Sequence, residues 1–368
     1  MRVAVLGGSH GAYATAADLS LAGHQVRLWR RHDADLAPVR AAGGIALVAE
    51  GRTGLGRPDR LTADLAEALD EAEVVIVPLP ATAHRDVAGR LAKELGPQQI
   101  VLLTPGTFGS YVLAREIELA GGRQPFAFAE TGTLPYLTRK TGPAEVTAPV
   151  RAANLPTGVF PAARSAAVLA RLGELFPSVR PCRDTLDAAL TNAGIILHPP
   201  LVLLNTGAID GGRFDIHASG TTPSARRLID VADRERLEIR QRLGYPAPHY
   251  EQATYYDAAR AAEGLYGVGA QARLVASGLW SERLTFEHRY ISEDVALGLP
   301  LFESAGRLAN VETSAMSGLL SVFGALLGRD LRRHGRGLDR LGLGELTLRE
   351  IRSLLHEGWF SPMWRRVR

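Results

Sequence analysis

The sequence contains very little cysteine or lysine and has no long uninterrupted apolar run. Cys182 is the only cysteine in 368 residues, which excludes an internal disulfide and a cysteine cluster for zinc. The chain has two lysines and 40 arginines, and its net charge is only +3. It lacks a dense basic run with interleaved aromatic residues, which argues against a nucleic-acid-binding surface. The opening apolar run, residues 3–6, is too short for a signal peptide, and the later run at 195–204 is short and contains His198 and two prolines. We therefore expect a cytoplasmic protein that binds neither nucleic acid nor membrane and has no metal site.

The two halves of the chain differ in their hydrophobic pattern. Up to about residue 180, short β-branched runs alternate with amphipathic segments, which predicts a mostly parallel sheet covered by helices on both faces. The predicted strands are residues 3–7, 25–29, 74–79, 100–104 and 126–129, and the predicted helices are residues 12–22, 65–72, 83–95 and 110–119. Later, helical periodicity covers residues 186–206, 224–243, 304–327 and 346–356, with an ordered loop expected at 207–222. The pattern predicts an α/β fold, with an α/β domain over residues 1–184 and an all-helical domain over residues 185–368.

A glycine-rich turn follows the first predicted strand and opens the first predicted helix. The turn consists of Gly7, Gly8, Ser9, His10, Gly11 and Ala12. Gly7 allows a tight turn, Ala12 allows close helix–strand packing, and the amides at the helix N-terminus suit a pyrophosphate. Ser9 replaces the glycine that normally lets the backbone approach the phosphates, although its hydroxyl could itself bind one. These features predict a Rossmann dinucleotide-binding domain; the alternative is a glycine turn kept for packing alone.

The end of the second predicted strand bears on the choice between NADP(H) and NAD(H). An acidic residue there would bind the ribose 2′-hydroxyl of NAD(H), whereas an arginine suits a 2′-phosphate. Arg30 and Arg31 occupy this position without a repelling carboxylate, so we expect NADP(H) to be favoured over NAD(H). The alternative is that both arginines are solvated surface residues. Loops at Pro80 and at Pro105 and Gly106 follow later strands and are predicted to flank the nicotinamide, unless they are tight turns alone.

Polar residues interrupt the apolar pattern of the second half. Asn192 and His198 fall within one apolar helical pattern, and Asp294 follows Arg289 much later in the chain. Burying such groups without partners is costly, so each needs an explanation. Taken alone, His198 is more often a hydrogen-bonded core residue than a catalytic one.

In combination, these motifs resemble those of the opine dehydrogenases, the octopine/nopaline dehydrogenase family. The similarity extends nearly end to end, and the stretches around His198 and Asp294 are its specific part. Besides the glycine turn, the matching stretches are Thr104-Pro105-Gly106, Ala129-Glu130-Thr131, Thr191-Asn192 through His198-Pro199, Thr222-Pro223-Ser224, Arg289-Tyr290 through Glu293-Asp294-Val295, and Gly342-Leu343. The resemblance implies a helical domain of the octopine dehydrogenase type.

The resemblance also implies a reaction. An α-keto acid condenses with the amino group of an amino acid, and NAD(P)H reduces the imine to a secondary amine. His198 would be the acid/base that contacts the keto acid or imine, and Asp294 would orient it. The implied pair is physically reasonable, since a carboxylate on one ring nitrogen fixes the tautomer and presents the other nitrogen to the substrate.

Substrate carboxylates need cations, for which Arg139 and Arg289 are the candidates, and Asn192 is a candidate contact of cofactor or substrate. Segments 134–136 and 296–297 depart from the family pattern, so the amino-acid preference of the family is not carried over. Two other functions stay open: an NADP(H)-dependent reductase of a preformed ketone or imine, and a non-catalytic NADP(H)-binding sensor. The apolar surface of segment 304–327 exceeds what one helix face needs, which favours a homodimer.

Overall fold

The structure, a computed structural model, describes residues 1–367, apart from the side chains at positions 213, 282 and 283. The chain divides into two compact units, Met1–Thr185 and Leu186–Arg368, one residue from the predicted boundary. The first unit is α/β and the second is mainly helical, which confirms the predicted fold class.

The first unit, of which every residue is described, contains two sheets. Its strands are β1 Arg2–Leu6, β2 Gln25–Trp29, β3 Ile45–Ala49, β4 Arg52–Gly56, β5 Arg60–Thr62, β6 Val74–Val77, β7 Ile100–Leu103, β8 Ala127–Thr131, β9 Tyr136–Gly142, β10 Glu145–Arg151, β11 Leu155–Phe160 and β12 Val179–Pro181. Its helices are α1 His10–Leu21, α2 Ala37–Ala41, α3 Leu65–Leu69, α4 His84–Glu94, α5 Gly109–Leu119 and α6 Ser165–Leu175, with short 3₁₀ turns at Asp33–Leu36, Ala81–Ala83 and Ala162–Arg164. Helix α7, Thr185–Ala189, begins at the boundary.

The larger sheet has the strand order β12-β11-β8-β7-β6-β1-β2-β5. All neighbouring strands are parallel except β8 and β11, which pair antiparallel. The five predicted strands are the contiguous central ones, and their apolar runs are almost completely buried, as a sheet covered on both faces requires. Strand β1 lies between β6 and β2, so the chain order reverses at β1, which is where open α/β sheets bind ligands.

The smaller sheet, in the order β4-β3-β10-β9, is absent from the sequence prediction. The buried carboxylate of Asp18 in α1 joins this sheet to the helix, because it pairs with Arg52 at 2.7 Å and Arg151 at 2.6 Å and accepts the Tyr136 hydroxyl at 2.7 Å. Burial alone would raise the pKa of Asp18, but the hydrogen bonds from Arg151 and Tyr136 lower it below its usual value. This network positions β9 beside α1.

The described part of the second unit consists of helices, turns and loops together with one short strand pair. Its helices are α8 Ala193–Leu203, α9 Thr206–Gly211, α10 Pro223–Arg242, α11 Ala270–Ala276, α12 Leu299–Ala309, α13 Ser314–Leu327, α14 Leu331–His334, α15 Leu348–Glu357 and α16 Pro362–Arg366, with 3₁₀ turns at Gln252–Tyr255, Ala261–Glu263 and Gly358–Phe360. A π-helix, Tyr290–Gly298, precedes α12. Strands β13 Arg213–Asp215 and β14 Ser281–Arg283 pair antiparallel, so the prediction of an all-helical domain is wrong in this detail.

Two of the long predicted helices are each divided in the structure. The segment predicted at 186–206 breaks into α7 and α8, because Asn192 caps α8 by accepting the Gly194 amide at 3.0 Å. The segment predicted at 304–327 breaks at Asn310, whose φ of 53° ends α12 in the left-handed region. The loop predicted at 207–222 contains α9 and β13. Val322 and Leu326 on α13 are exposed, and the homodimer stays a prediction.

The stretch Thr185–Leu203 has the length, 19 residues, and the mean hydropathy, 1.3, of a membrane-spanning helix. Most of the apolar run at 195–204, which by itself is too short to span a bilayer, lies at the C-terminal end of this stretch. In the structure 78% of this stretch is buried within the protein, and a buried core helix can have the same length and hydropathy.

Candidate active site

The glycine turn joins β1 to α1 and contacts the loop that follows β6. Gly7 has a φ of 115°, and a side chain on it would collide with Leu79. The Ser9 hydroxyl caps α1 by accepting the Ala12 amide at 3.1 Å, and it donates to the Pro78 carbonyl at 2.8 Å. This hydroxyl is therefore hydrogen-bonded within the protein, and its contact with a phosphate stays a prediction.

The loops at Pro80 and at Pro105 and Gly106 follow β6 and β7, at the same carboxyl edge as the turn after β1. Pro80 is exposed at this edge. The three loops thus follow three neighbouring strands, as a dinucleotide site at this edge requires. Contact of these loops with the cofactor stays a prediction.

Glu130 organises the loop after β7. Its carboxylate is fully buried and accepts the amides of Phe108 at 2.7 Å and Ser110 at 2.8 Å, and a side chain on Gly106 would collide with it. Burial raises the pKa of Glu130 above its usual value, although these hydrogen bonds oppose the shift. Thr107 and Phe108 have φ angles of 52° and 62°, a conformation that needs such support. The sequence motif includes Glu130, but its loop-holding role becomes visible only in the structure.

Arg30 lies directly over the glycine turn. A side chain on Gly8 would collide with its guanidinium group, which donates to the Tyr13 hydroxyl at 3.2 Å. Arg30 also pairs with Asp35 at 2.8 Å, so the expectation that no carboxylate lies near it is wrong. Arg31 instead pairs with Asp86 at 3.1 Å, and both side chains are more than half exposed. Of the two predicted cofactor arginines, Arg30 lies against the turn, and contact of Arg31 with a cofactor stays a prediction.

Lys140 adds a second cation beside Arg30. Its ammonium group lies 3.8 Å from the centroid of the Tyr13 ring, and its backbone amide donates to Nδ1 of His10, the first residue of α1, at 2.8 Å. Partial burial and the charge of Arg30 lower the pKa of Lys140. No local sequence signal reveals this residue, because β9 reaches the turn from 130 positions away.

His198 of α8 and Asp294 of the π-helix form a hydrogen-bonded pair in the second unit. Nδ1 of the histidine lies 2.7 Å from Oδ2 of the aspartate, and each side chain is 11% exposed. Gly194 lies one helical turn before His198, and a Cβ atom there would lie only 3.0 Å from Oδ1 of Asp294. The glycine therefore leaves room for the carboxylate. Asp294 lies in the middle of a π-helix, a rare conformation that often marks functional sites.

The electrostatics of the pair are governed by burial and by Arg289. Burial raises the pKa of Asp294 to about 7, and the positive charge of Arg289 partly opposes this shift. Burial would lower the pKa of Arg289, but the neighbouring Tyr290, Glu293 and Asp294 raise it above its usual value. A histidine, a carboxyl that titrates near neutral pH and a permanent cation therefore share one region of the second unit.

The remaining predicted substrate residues are in different environments. The Asn192 side chain caps α8, and the same hypothetical Cβ on Gly194 would lie 3.3 Å from its Oδ1 atom and 3.2 Å from Nδ1 of His198. Asn192 is therefore close to the pair. Arg139 is buried in β9 of the first unit, where its guanidinium group donates to the carbonyl of Thr138 at 3.2 Å. Substrate contact by either residue stays a prediction.

Comparison with known proteins relates most of the second unit to a known family of helical domains. Residues 181–327 match the family "NAD/NADP octopine/nopaline dehydrogenase, alpha-helical domain". Over 361 residues the chain is 29% identical to an opine dehydrogenase of Arthrobacter sp. (strain 1C), with 95% of this chain and 97% of that protein covered. It is 27% identical to a vitopine synthase of Allorhizobium ampelinum, with 83% and 84% covered.

The solved structures of similar fold include opine dehydrogenases and ketopantoate reductases. An octopine dehydrogenase with NADH and L-arginine superposes with a TM-score of 0.69 at 17% identity, covering 97% of this chain and 98% of that one. A yersinopine dehydrogenase with bound NADP⁺ superposes with a TM-score of 0.63 at 15% identity, covering 98% of each chain. These similarities establish the fold of both units. Together with the match to the helical-domain family, they show that the chain is similar to opine dehydrogenases over nearly its whole length, and this similarity indicates an NAD(P)-dependent oxidoreductase acting on a CH–NH bond.

Proposed function

We propose that this chain catalyses the NADP(H)-dependent reductive condensation of an α-keto acid with the amino group of an amino acid, and the reverse reaction. The observation that carries the proposal is the buried hydrogen bond of 2.7 Å between His198 and Asp294. Such a bond fixes one ring nitrogen of the histidine and makes the other the one that exchanges protons with a substrate. The full-length similarity to an opine dehydrogenase supports the same reaction class.

The residues of the second unit suit the proton transfers of this reaction. Condensation expels the keto oxygen as water, and the imidazole of His198 donates the proton that this departure requires. Asp294 stabilises the protonated imidazole and holds its plane. Arg289 provides a cation for a substrate carboxylate, with Asn192 as a second polar contact. A bound nicotinamide supplies the hydride that reduces the imine carbon.

The first unit supports a preference for NADP(H). The glycine turn and its position at the reversal of strand order fit a dinucleotide. Arg30 and Lys140 place two cations around Tyr13 beside this turn, which favours a cofactor with an additional phosphate. Asp35 is the opposing feature, because a carboxylate beside Arg30 repels a phosphate and could instead accept a ribose hydroxyl.

The decisive experiment measures oxidation of NADPH and of NADH against a matrix of α-keto acids and amino acids, with product masses determined. We expect turnover only when both substrates are present, faster with NADPH, and a product whose mass is that of the secondary amine dicarboxylate. Turnover of a single ketone or preformed imine, with no gain on adding amino acids, would instead identify a reductase of preformed substrates. Cofactor binding without turnover across the matrix would identify a non-catalytic sensor.

A further inference from the structure

Tyr290, the first residue of the π-helix, lies face to face with His198. The ring centroids are 3.6 Å apart and the planes differ by 18°, while the tyrosine is only 1% exposed. Asp294 holds the edge of the same imidazole at Nδ1. One edge and one face of the histidine are therefore both fixed, which leaves its ring little freedom to tilt or rotate.

The tyrosine ring is itself held from two directions. Its hydroxyl lies 3.0 Å from Nε2 of His217, a buried residue two positions after the end of β13. The amide of His217 in turn donates to Oδ1 of Asp215 at 3.0 Å, which anchors that turn. The ring of His288 lies edge-on to Tyr290 with centroids 4.3 Å apart, and its Nδ1 accepts the Tyr290 amide at 3.3 Å. Tyr290 is thus a fixed surface against which the imidazole rests.

A stacked phenol ring affects an acid/base histidine in two ways. It excludes rotamers that would move the proton-bearing nitrogen, and even a misplacement of about 1 Å can cost roughly 10²-fold in rate. Its electron-rich face also attracts the imidazolium form. Both effects act on the transition state for proton transfer more than on cofactor binding, which involves other residues.

We propose that Tyr290 is a positioning residue that holds the His198 ring by stacking, and that His217 holds Tyr290 through its hydroxyl. The inference rests on the proposed acid/base role of His198, because a ring that transfers no proton needs no such alignment.

The test compares Tyr290→Leu, which removes the stacking ring, with Tyr290→Phe, which keeps the ring and removes the bond to His217. For Tyr290→Leu we expect kcat to fall by about 10- to 100-fold, with substrate KM values and NADPH affinity changed by no more than about twofold. Tyr290→Phe should restore most of kcat, leaving a loss of about threefold that His217→Leu reproduces. Tyr245→Leu, which removes a buried tyrosine beside Arg240, is the control for the loss of a large side chain.

A double-mutant cycle separates this proposal from the proposed function. In a His198→Ala background, Tyr290→Leu should cause no further loss of kcat, because it acts through the missing ring. Additive losses of kcat in the double mutant would overturn the positioning role. Equal losses of kcat in Tyr290→Leu and Tyr290→Phe would also overturn it, as would a loss of kcat that is accompanied by matching losses of NADPH affinity and thermal stability. Wild-type turnover in His198→Ala alone would instead overturn the proposed role of the histidine, whatever the tyrosine variants do.

Discussion

The charged groups of the two units differ in how firmly they are held. At the glycine turn the side chain of Arg30 is 19% exposed and that of its partner Asp35 is 41% exposed, so solvent and salt can compete for both. In the second unit the side chains of His198 and Asp294 are each 11% exposed and hydrogen-bonded to each other. An exposed pair can exchange one partner for another at small cost, which suits recognition of a ligand charge. A buried pair has fixed geometry, which suits proton transfer, and its disruption has larger consequences.

The largest effect is expected from removing the imidazole. His198→Ala should reduce kcat by about 10²–10⁴-fold, the usual contribution of general acid–base catalysis. The affinity for NADPH, measured by fluorescence titration, should remain within about twofold of the wild-type value, because the predicted cofactor residues lie in the first unit. Turnover close to that of the wild type would remove the histidine from the mechanism and with it the contrast between the two units.

Asp294→Asn should have the next largest effect on activity. Although it lowers activity, it should increase the stability of the folded chain relative to the wild type as the pH rises. Loss of the carboxylate leaves the imidazole without its charged partner, so kcat should fall by about 10- to 100-fold. The pKa of Asp294 is raised from 3.8 to about 7 in the folded chain, so folding favours its protonated form. The stabilisation is complete below the unfolded pKa and is lost as the pH rises through about 7.

The stability of Asp294→Asn relative to the wild type should therefore increase between pH 4 and pH 7 and then level off. Thermal unfolding of both proteins across this range checks the sign. A difference in unfolding temperature that is constant with pH would show that the carboxyl has the same pKa in the folded and unfolded chains. In the wild type, kcat/KM should fall as the pH drops below about 7, because Asp294 is then protonated and no longer orients His198 through a negative charge.

How much of each site the sequence predicts depends on the distance along the chain over which it is built. The β1–α1–β2 unit and Arg30 lie within 30 residues, and local patterns are enough to locate them. Lys140 is brought to the turn by a four-stranded sheet whose short strands lack long apolar runs, so neither the sheet nor the lysine could be predicted. Asp35 lies in the short 3₁₀ turn after Arg30, which is too short for a periodic pattern to determine which way a side chain points.

In the second unit, family resemblance supplied what local pattern could not. His198 and Asp294 are 96 residues apart, and only the resemblance to the family motifs predicts that they form a pair. The stacking of Tyr290 depends on the π-helix, which turns the residue four positions before Asp294 towards the imidazole. Hydrophobic periodicity carries no signal for such a helix.

Arg30→Asp tests whether this partly buried cation selects the cofactor. NADPH affinity should fall by about tenfold while NADH affinity changes by no more than about twofold, since only the former loses a phosphate partner. Lys140→Met should weaken NADPH in the same direction by a smaller factor, about threefold. Arg31→Asp is the matched control, because the Arg31 side chain pairs with Asp86 and not with Asp35, and we expect it to leave both affinities unchanged. Equal losses for both cofactors in Arg30→Asp would make Arg30 a structural residue.

The smallest and most discriminating change is Asp35→Asn, which removes the carboxylate 2.8 Å from Arg30 without removing the cation. If the guanidinium group binds a 2′-phosphate, the phosphate no longer competes with Asp35, and NADPH affinity should rise by about two- to fivefold. The gain should diminish at high salt, because both side chains are partly exposed. Asp33→Asn, in the same turn but paired with Arg40, should change neither affinity. A loss of NADH affinity with no gain for NADPH would mean that Asp35 accepts a ribose hydroxyl, and the two cations at the glycine turn would then have to be explained without an additional phosphate.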